Sequence, residues 1–192
     1  MKFAVRSLAL ITCVALASGG CGGSSDSSAK DKPPASTVSV KPATGDTVTG
    51  TGYRYTAPKG WQPPKSPIPG FDPDTIVFDT NDKDGFADNI NVLRVSATVS
   101  STDALEKGSK VALQGIHASD IKVLDRQQIN GETAIHMTST LSQNGVDYHT
   151  DQFAILRGKF EYAITFSRSG TVSKADEEAL AQSVMATWKW AS

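Results

Sequence analysis

Residues 133–167 read TAIHMTSTLSQNGVDYHTDQFAILRGKFEYAITFS, and this stretch decides the fold. It contains three runs rich in β-branched and aromatic residues, at 133–141, 146–156 and 160–167. Asn144-Gly145 separates the first two runs, and Arg157-Gly158-Lys159 separates the last two. An Asn-Gly pair readily adopts the positive φ angles of a type I′ turn, which closes a tight hairpin. The pattern therefore predicts three consecutive antiparallel strands.

The register of this meander follows from the first turn. If Asn144 and Gly145 form the two-residue loop, Gln143 lies opposite Val146, and every later pair is fixed. One face of the sheet then carries mostly large apolar side chains, namely Ala134, His136, Phe153, Ile155, Phe160, Tyr162, Ile164 and Phe166. We expect this face to be the core, covered by a C-terminal helix. The opposite face is moderately apolar, which favours a second helix there.

The elements outside the meander complete the fold class. Further strands are predicted at 53–57, 75–79, 89–98 and 121–129. One helix is predicted from Thr102 to about residue 116. A second is predicted from an N-cap at Ser173, with Asp176 at the capping-box position, to residue 188. This order predicts an α+β fold, a mainly antiparallel sheet flanked by helices on both faces in an α/β/α sandwich.

The N-terminus has the pattern of a lipoprotein signal peptide. Lys2 and Arg6 precede an apolar run of about ten residues, which is too short to span a bilayer. Small residues then lead to Cys21, although Ser18 stands where a lipoprotein signal usually has a branched aliphatic residue. We expect removal of residues 1–20 and attachment of fatty acyl chains such as palmitate to Cys21. The mature protein would then be anchored in the cell membrane at its extracytoplasmic face.

The composition after Cys21 divides the mature chain into a tether and one domain. Residues 21–50 are rich in Gly, Ser, Thr and Pro and contain almost no large apolar side chain, which predicts a flexible tether. Residues 51–192 have the length of a single globular domain. Removal of the two cations of the signal leaves a net charge of −3, which argues against nucleic acid as a partner. The expected partners are the membrane, through the lipid, and an envelope protein or lipid ligand.

Two short motifs carry a resemblance to a known family. Tyr-x-x-Pro-x-Gly-Trp occurs at 55–61, and Gly-Phe-Ala-Asp-Asn-Ile-Asn-Val at 85–92. With the lipoprotein signal and the closing helix, residues 51–190 resemble the actinobacterial LpqN/LpqT-type lipoproteins, which have a PsbP-like fold. The resemblance implies a non-catalytic accessory or binding protein of the cell envelope. It brings no catalytic residues with it.

An acidic segment raises the question of a metal site. Asp82, Asp84 and Asp88, with Gly85 between them, are similar in spacing to the start of a calcium-binding loop. The EF-hand pattern also needs an acid at Thr80 and a bidentate Glu further on, and both are missing. The two interpretations are a Ca²⁺-binding surface domain and an acidic turn. No other cofactor is expected.

Aromatic residues near the proline-rich segment 62–74 suggest a ligand groove. Trp61, Phe71 and Phe86 could line a groove for an acyl chain or a partner, and the alternative is ordinary core and loop packing.

The predicted register places His136, His149 and Asp151 on one face of the sheet. The two histidines lie about 13 Å apart along the strands, since each residue adds about 3.3 Å, and so cannot share a zinc ion. The common motifs of hydrolases and nucleotide-binding enzymes are absent. The sequence therefore favours a protein that is not an enzyme. The alternative is an envelope hydrolase whose site is not recognisable from sequence.

Overall fold

A computed structural model describes residues 40–143 and 145–191. Cys21, the signal peptide, most of the predicted tether and Asn144 lie outside the described residues. The strands are β1 (Thr47–Gly50), β2 (Tyr53–Thr56), β3 (Trp61–Gln62), β4 (Thr75–Asp79), β5 (Asn89–Ser96), β6 (Ser119–Val123), β7 (Gln127–Ile129), β8 (Glu132–Gln143), β9 (Val146–Arg157), β10 (Phe160–Ser169) and β11 (Lys189–Trp190). The helices are α1 (Thr102–Gly115) and α2 (Lys174–Met185).

The main sheet has the order β3-β4-β5-β10-β9-β8-β6, with β7 also paired to β8, and its strand pairs are antiparallel. The predicted register of the meander is confirmed, because Gln143 lies opposite Val146 and His136 opposite Phe153. Gly145 has a φ of 78°, a value that glycine adopts without steric cost. The mainly antiparallel α+β class is therefore confirmed, with two helices in the described part of the chain.

A second, smaller sheet of order β1-β2-β11 joins the two ends of the domain. Strand β1 corrects the expectation that the tether extends to residue 50, because Thr47–Gly50 pairs with β2. Strand β1 lies at the edge of the smaller sheet, so it needs only one partner strand, and its sequence can be polar. Ahead of β1, the backbone N–H of Ala43 donates to Ser183 of α2, and that of Gly45 donates to Ala57. The folded region thus begins before residue 47.

Both helices begin where the sequence predicts. The side chain of Ser101 accepts from the N–H of Ala104 at the start of α1, and that of Ser173 accepts from the N–H of Asp176 at the start of α2. Helix α2 ends at Met185 and not at residue 188 as predicted. The backbone N–H of Trp188 donates to Met185 in a turn, and the chain then enters β11.

The segment predicted as one strand at 121–129 is two strands. Between β6 and β7 the N–H of Leu124 donates to the carbonyl of His136, and the β6–β8 register shifts between Ser119 and Lys122. A bulge of this kind bends the edge of the sheet and interrupts regular pairing.

The apolar side chains form a large cluster, a small cluster beside α1 and a third cluster around Phe86 and Tyr148. The large cluster contains the predicted core face together with Tyr53, Tyr55 and Trp188, whose rings are stacked. Residues Ala181, Val184 and Met185 of α2 belong to it. The small cluster joins α1 to the meander and consists of Leu105, Leu113, Ile135, Met137 and Ala154. In the described part of the chain, neither helix has the length and apolar character needed to cross a membrane.

Candidate functional site

The three aromatic residues predicted to line a groove do not come together. Trp61 is buried in the large cluster, whereas Phe86 stacks on Tyr148 at 4.9 Å between ring centres in a separate small cluster. Phe71 is partly exposed, and its N–H donates to Ile68 in a turn. None of the three lines either of the two depressions described below. The interpretation as one ligand groove is therefore corrected in favour of packing.

The carboxylates of the acidic segment have partners inside the protein. Asp82 accepts from the N–H of Asp84, which in turn accepts from the N–H of Phe86. Asp88 is buried, forms an ion pair with Arg168 and accepts from the N–H of Ser169 at 2.8 Å. Among the described residues no three His, Cys, Asp or Glu side chains are grouped so that they could hold a metal ion. Calcium binding stays a prediction, and the contacts explain the segment as a turn.

His136 and Asp151 form a buried pair at the centre of the meander. The Nε2 atom of His136 lies 2.6 Å from Oδ1 of Asp151, and the two side chains are 2% and 1% exposed. The Nδ1 atom of His136 lies 3.2 Å from the amide of Gln127, so both ring nitrogens have partners other than a hydroxyl. His149 bonds separately to Thr140. This arrangement differs from a Ser/His/Asp triad, in which one ring nitrogen faces the nucleophile.

The sequence placed His136 and Asp151 on one face but did not predict their contact. The signal was present in the register, since Asp151 lies two residues from Phe153, which is opposite His136. Diagonal neighbours on one face of an antiparallel pair are close enough for long or aromatic side chains to meet.

A basic depression of about 500 Å³ lies on the described surface. Its walls come from the β1–β2 turn, strand β5, the β9–β10 turn and the start of β10, and they consist of Thr51, Gly52, Arg94, Arg157, Gly158, Lys159, Phe160 and Tyr162. We call it the basic depression, because three of these eight residues are cations and none is an acid.

Arg94 is held in place by aromatic side chains of β10. Its guanidinium carbon lies 3.3 Å from the centre of the Phe160 ring, and its Nε donates to the hydroxyl of Tyr162 at 3.4 Å. The antiparallel register brings these groups together, because Tyr162 lies directly opposite Arg94. A guanidinium stacked on a ring keeps its peripheral N–H groups free to bind an anion.

Arg157 is positioned in a similar way on the other side of the depression. Its guanidinium carbon lies 4.9 Å from the centre of the Trp190 ring, and its Nε lies 3.3 Å from Glu132. Both members of this ion pair are about one-third exposed, so water screens their attraction. Lys159 is exposed in the β9–β10 turn. Two stacked guanidiniums and a flexible ammonium thus surround one open space.

Asp74 lies behind the depression and remains an anion. Partial burial raises its pKa, but hydrogen bonds from Thr51 and Tyr53 and the charge of Arg94 together bring the pKa below its usual value. The carboxylate accepts from the N–H of Thr51 at 2.8 Å and so fixes the β1–β2 turn. Asp74 and Glu132 offset part of the positive charge around the cations.

Sequence reasoning missed the basic depression because its residues come from distant parts of the chain. The sequence contains a cation on β5 and aromatic residues on β10. Their contact could be predicted only if the register between these two strands were known. That register does not follow from a tight turn, since α1 and four strands separate β5 from β10.

Comparisons with known proteins relate this chain to others by fold. No family model matches the sequence, and no curated protein matches it either. The solution structure of a cyanobacterial PsbP from Synechocystis is similar, with a TM-score of 0.52 and 16% identity, and the match covers 83% of this chain and all of that one. The described fold is therefore similar to the PsbP fold. At this identity the likeness concerns the fold alone.

Two other solved structures are more distant. A Bacteroides thetaiotaomicron protein matches with a TM-score of 0.46 and 15% identity over 73% of this chain, which spans only 45% of that protein's length. A Pseudomonas aeruginosa protein of unknown function, PA94, matches with a TM-score of 0.44 and 17% identity, over 61% of this chain and 83% of that one. Both scores are too low to carry an argument. The resemblance to LpqN/LpqT-type lipoproteins stays a prediction.

Proposed function

We propose that this chain is a lipid-anchored, non-catalytic binding protein of the cell envelope, whose basic depression binds the phosphate of an anionic lipid headgroup. The observation that carries the ligand class is the fixed guanidinium of Arg94, which is stacked on Phe160 and bonded to Tyr162. Arg157 and Lys159 bring two further cations to the same open space. Phosphate oxygens suit such a group, because guanidinium donates to them in a planar, bidentate geometry.

The anchor in this proposal is the acylated Cys21, after removal of residues 1–20. A tether that ends before Thr47 would hold the domain near the outer face of the membrane. This placement favours a lipid phosphate over a soluble anion, because the headgroups would then be the nearest concentrated source of anionic oxygen.

In this proposal the domain is a PsbP-like sandwich of the LpqN/LpqT type, with helices on both faces of the sheet. Ile135 packs with Leu113 of α1, whereas its neighbour Ala134 belongs to the cluster of Ala181 on α2. Successive strand residues point to opposite faces, which supports placing the two helices on different sides. No enzyme chemistry is assigned, since both nitrogens of the buried His136 are bound to Asp151 and Gln127.

The test uses the full chain with Cys21→Ser, so that its own acyl chains do not insert into vesicles. Co-flotation should recover this protein with vesicles that contain phosphatidylglycerol and not with pure phosphatidylcholine. Arg94→Lys keeps the charge but loses the planar donors, and we expect at least a fivefold weaker association. The matched control is Arg54→Lys, at an exposed arginine outside the depression, which should bind like the parent chain.

Three outcomes would reject the proposal. Equal recovery with neutral vesicles would reject the phosphate, and equal losses in Arg94→Lys and Arg54→Lys would reject the depression as its site. Hydrolysis of generic ester or glycan substrates, blocked by a serine-directed inhibitor, would support the alternative of an envelope hydrolase.

A further inference from the structure

A second depression, unrelated to the phosphate proposal, lies between the N-terminal turns of α2 and strands β6, β8 and β9. It has a volume of about 160 Å³ and is lined by Asp120, Lys122, Leu124, Thr138, Ser139, His149, Thr150, Asp151, Lys174, Glu177 and Glu178. We call it the acidic pocket, because four carboxyl groups line it against two lysines. Both lysines are exposed, whereas Asp151 and Glu177 are buried.

The two buried carboxyl groups each have an oxygen with no hydrogen-bond partner among residues 40–143 and 145–191. Asp151 is 1% exposed and uses Oδ1 for His136, while its Oδ2 has no hydrogen-bond partner among the described residues. Glu177 is 4% exposed, and its Oε1 likewise has no partner in the part of the chain that the structure describes. Buried acceptors are normally bonded, and an acceptor that carries negative charge is especially costly to leave unsatisfied. A ligand that donates hydrogen bonds in this pocket would satisfy both oxygens.

The two groups also interact electrostatically. Burial, together with the neighbouring charge of Asp151, raises the pKa of Glu177 to about 7 against the opposing effects of Arg168 and Lys174. Burial also raises the pKa of Asp151, against the effect of His136. The ionised form of each group is therefore costly without a nearby positive charge, and a neutral water molecule supplies only a hydrogen-bond donor.

We propose that the acidic pocket binds a small primary ammonium group between Asp151 and Glu177. A primary ammonium carries one positive charge and three N–H donors, which matches two unsatisfied carboxylate oxygens and a polar wall with the Thr138 hydroxyl. The volume corresponds to roughly five water molecules, since each occupies about 30 Å³, and so accommodates an amine of a few heavy atoms. The described residues contain no group of ligands suited to a metal ion, which favours an organic cation.

The ammonium could come from a free amine or from a lysine side chain of a peptide, and the chemistry at the two carboxylates is the same. Isothermal titration of the full chain, with Cys21→Ser, should show binding of ethylammonium. Tetramethylammonium has the same charge but no N–H donor, and it should bind at least tenfold more weakly. This comparison needs no change in the pocket, and equal binding of the two ions, or of neither, would overturn the proposal.

A pair of variants then locates the site. Glu177→Gln keeps the shape of the side chain and removes its charge, so ethylammonium affinity should fall at least tenfold. Asp72→Asn removes an exposed carboxylate outside the pocket and should leave the affinity unchanged. Equal effects of the two substitutions would place the binding elsewhere. Titration with N-acetyl-lysine amide separates the sources, because exclusion of this longer ligand would restrict the site to free amines. Loss of ammonium binding would leave the vesicle result untouched, since the two sites share no residue.

Discussion

The basic depression and the acidic pocket hold opposite charges in opposite ways. In the depression, Arg157 is about one-third exposed, stacks on Trp190 and keeps contact with water. In the pocket, Asp151 is almost fully buried, pairs with His136 and has one oxygen without a partner in the described part of the chain. Exposed charges are screened and cost little to hold, whereas buried charges depend on every partner. Removal of a charge should therefore have a large effect on stability in the pocket and a small effect in the depression.

The largest expected effect is that of Asp151→Ala. The substitution leaves the buried Nε2 of His136 without its partner at 2.6 Å. Breaking a buried pair in this way typically costs about 3–5 kcal/mol. Urea denaturation should show a loss in this range, and Asp120→Asn, which tolerates the positive φ at the exposed rim of the same pocket, should lose less than about 0.5 kcal/mol. Similar losses of stability in the two variants would contradict the expected difference between buried and exposed charges.

The next effect is a pH dependence that Glu177 contributes. Burial, with smaller contributions from the charges of Asp151 and Asp88, raises its pKa to about 7 against the opposing charges of Arg168 and Lys174. The folded state then holds the proton more tightly than the unfolded chain. The stabilisation from this proton is complete below the normal glutamate pKa and is lost as pH rises through 7.

Glu177→Gln tests that dependence directly. The variant should be more stable than the parent chain at pH 8, by an amount on the order of 2 kcal/mol, and the difference should shrink towards pH 5. Thermal or urea unfolding at several pH values measures it. A variant that is less stable than the parent at pH 8 would show that the unpaired oxygen is satisfied in solution.

A smaller effect is expected in the depression. Arg157→Gln removes the contact with Trp190 and the ion pair with Glu132, both partly exposed. Exposed contacts of this kind contribute about 1 kcal/mol or less each. Urea unfolding should therefore show a loss well below that of Asp151→Ala. A loss of similar size would mean that the rim of the depression is as essential to folding as the pocket.

The smallest effect is expected in the acidic turn. Asp82→Asn keeps an oxygen that can accept from the N–H of Asp84, so the stability should change by less than about 0.5 kcal/mol. Because the carboxylates of the turn already have internal partners, we expect millimolar Ca²⁺ to leave the melting temperature of the parent chain unchanged. A calcium-dependent rise that Asp82→Asn abolishes would restore the calcium interpretation.

The part of the fold that could be predicted from the sequence is the part with local determinants. Asn144-Gly145 fixed the register of β8 and β9, and Ser173 with Asp176 marked the start of α2. Strand β11 could not be predicted, because its two residues form a strand only where β2 offers a free edge. Such a short strand has no periodicity of its own.

The His136–Asp151 pair and the basic depression also differ in how far they could be predicted from the sequence. The contact between His136 and Asp151 follows from the register of the β8–β9 hairpin, so it could have been predicted from the sequence. The depression needs Thr51, Arg94 and Phe160 to be brought together by the order of strands in the sheets. Such long-range placement depends on the packing of the whole domain and leaves no local pattern.

The hairpin of β1 and β2 connects the start of the described chain to the basic depression. At one end Ala43 is bonded to α2 and Gly45 to Ala57, and at the other end the Thr51-Gly52 turn forms part of the wall around Arg94. If the proposed anchor and headgroup site exist, a pull on the chain ahead of residue 40 would reach the wall of the depression through this hairpin and would also load α2 through Ala43. Tension on such a tether and occupancy of the depression would then be coupled through these few residues.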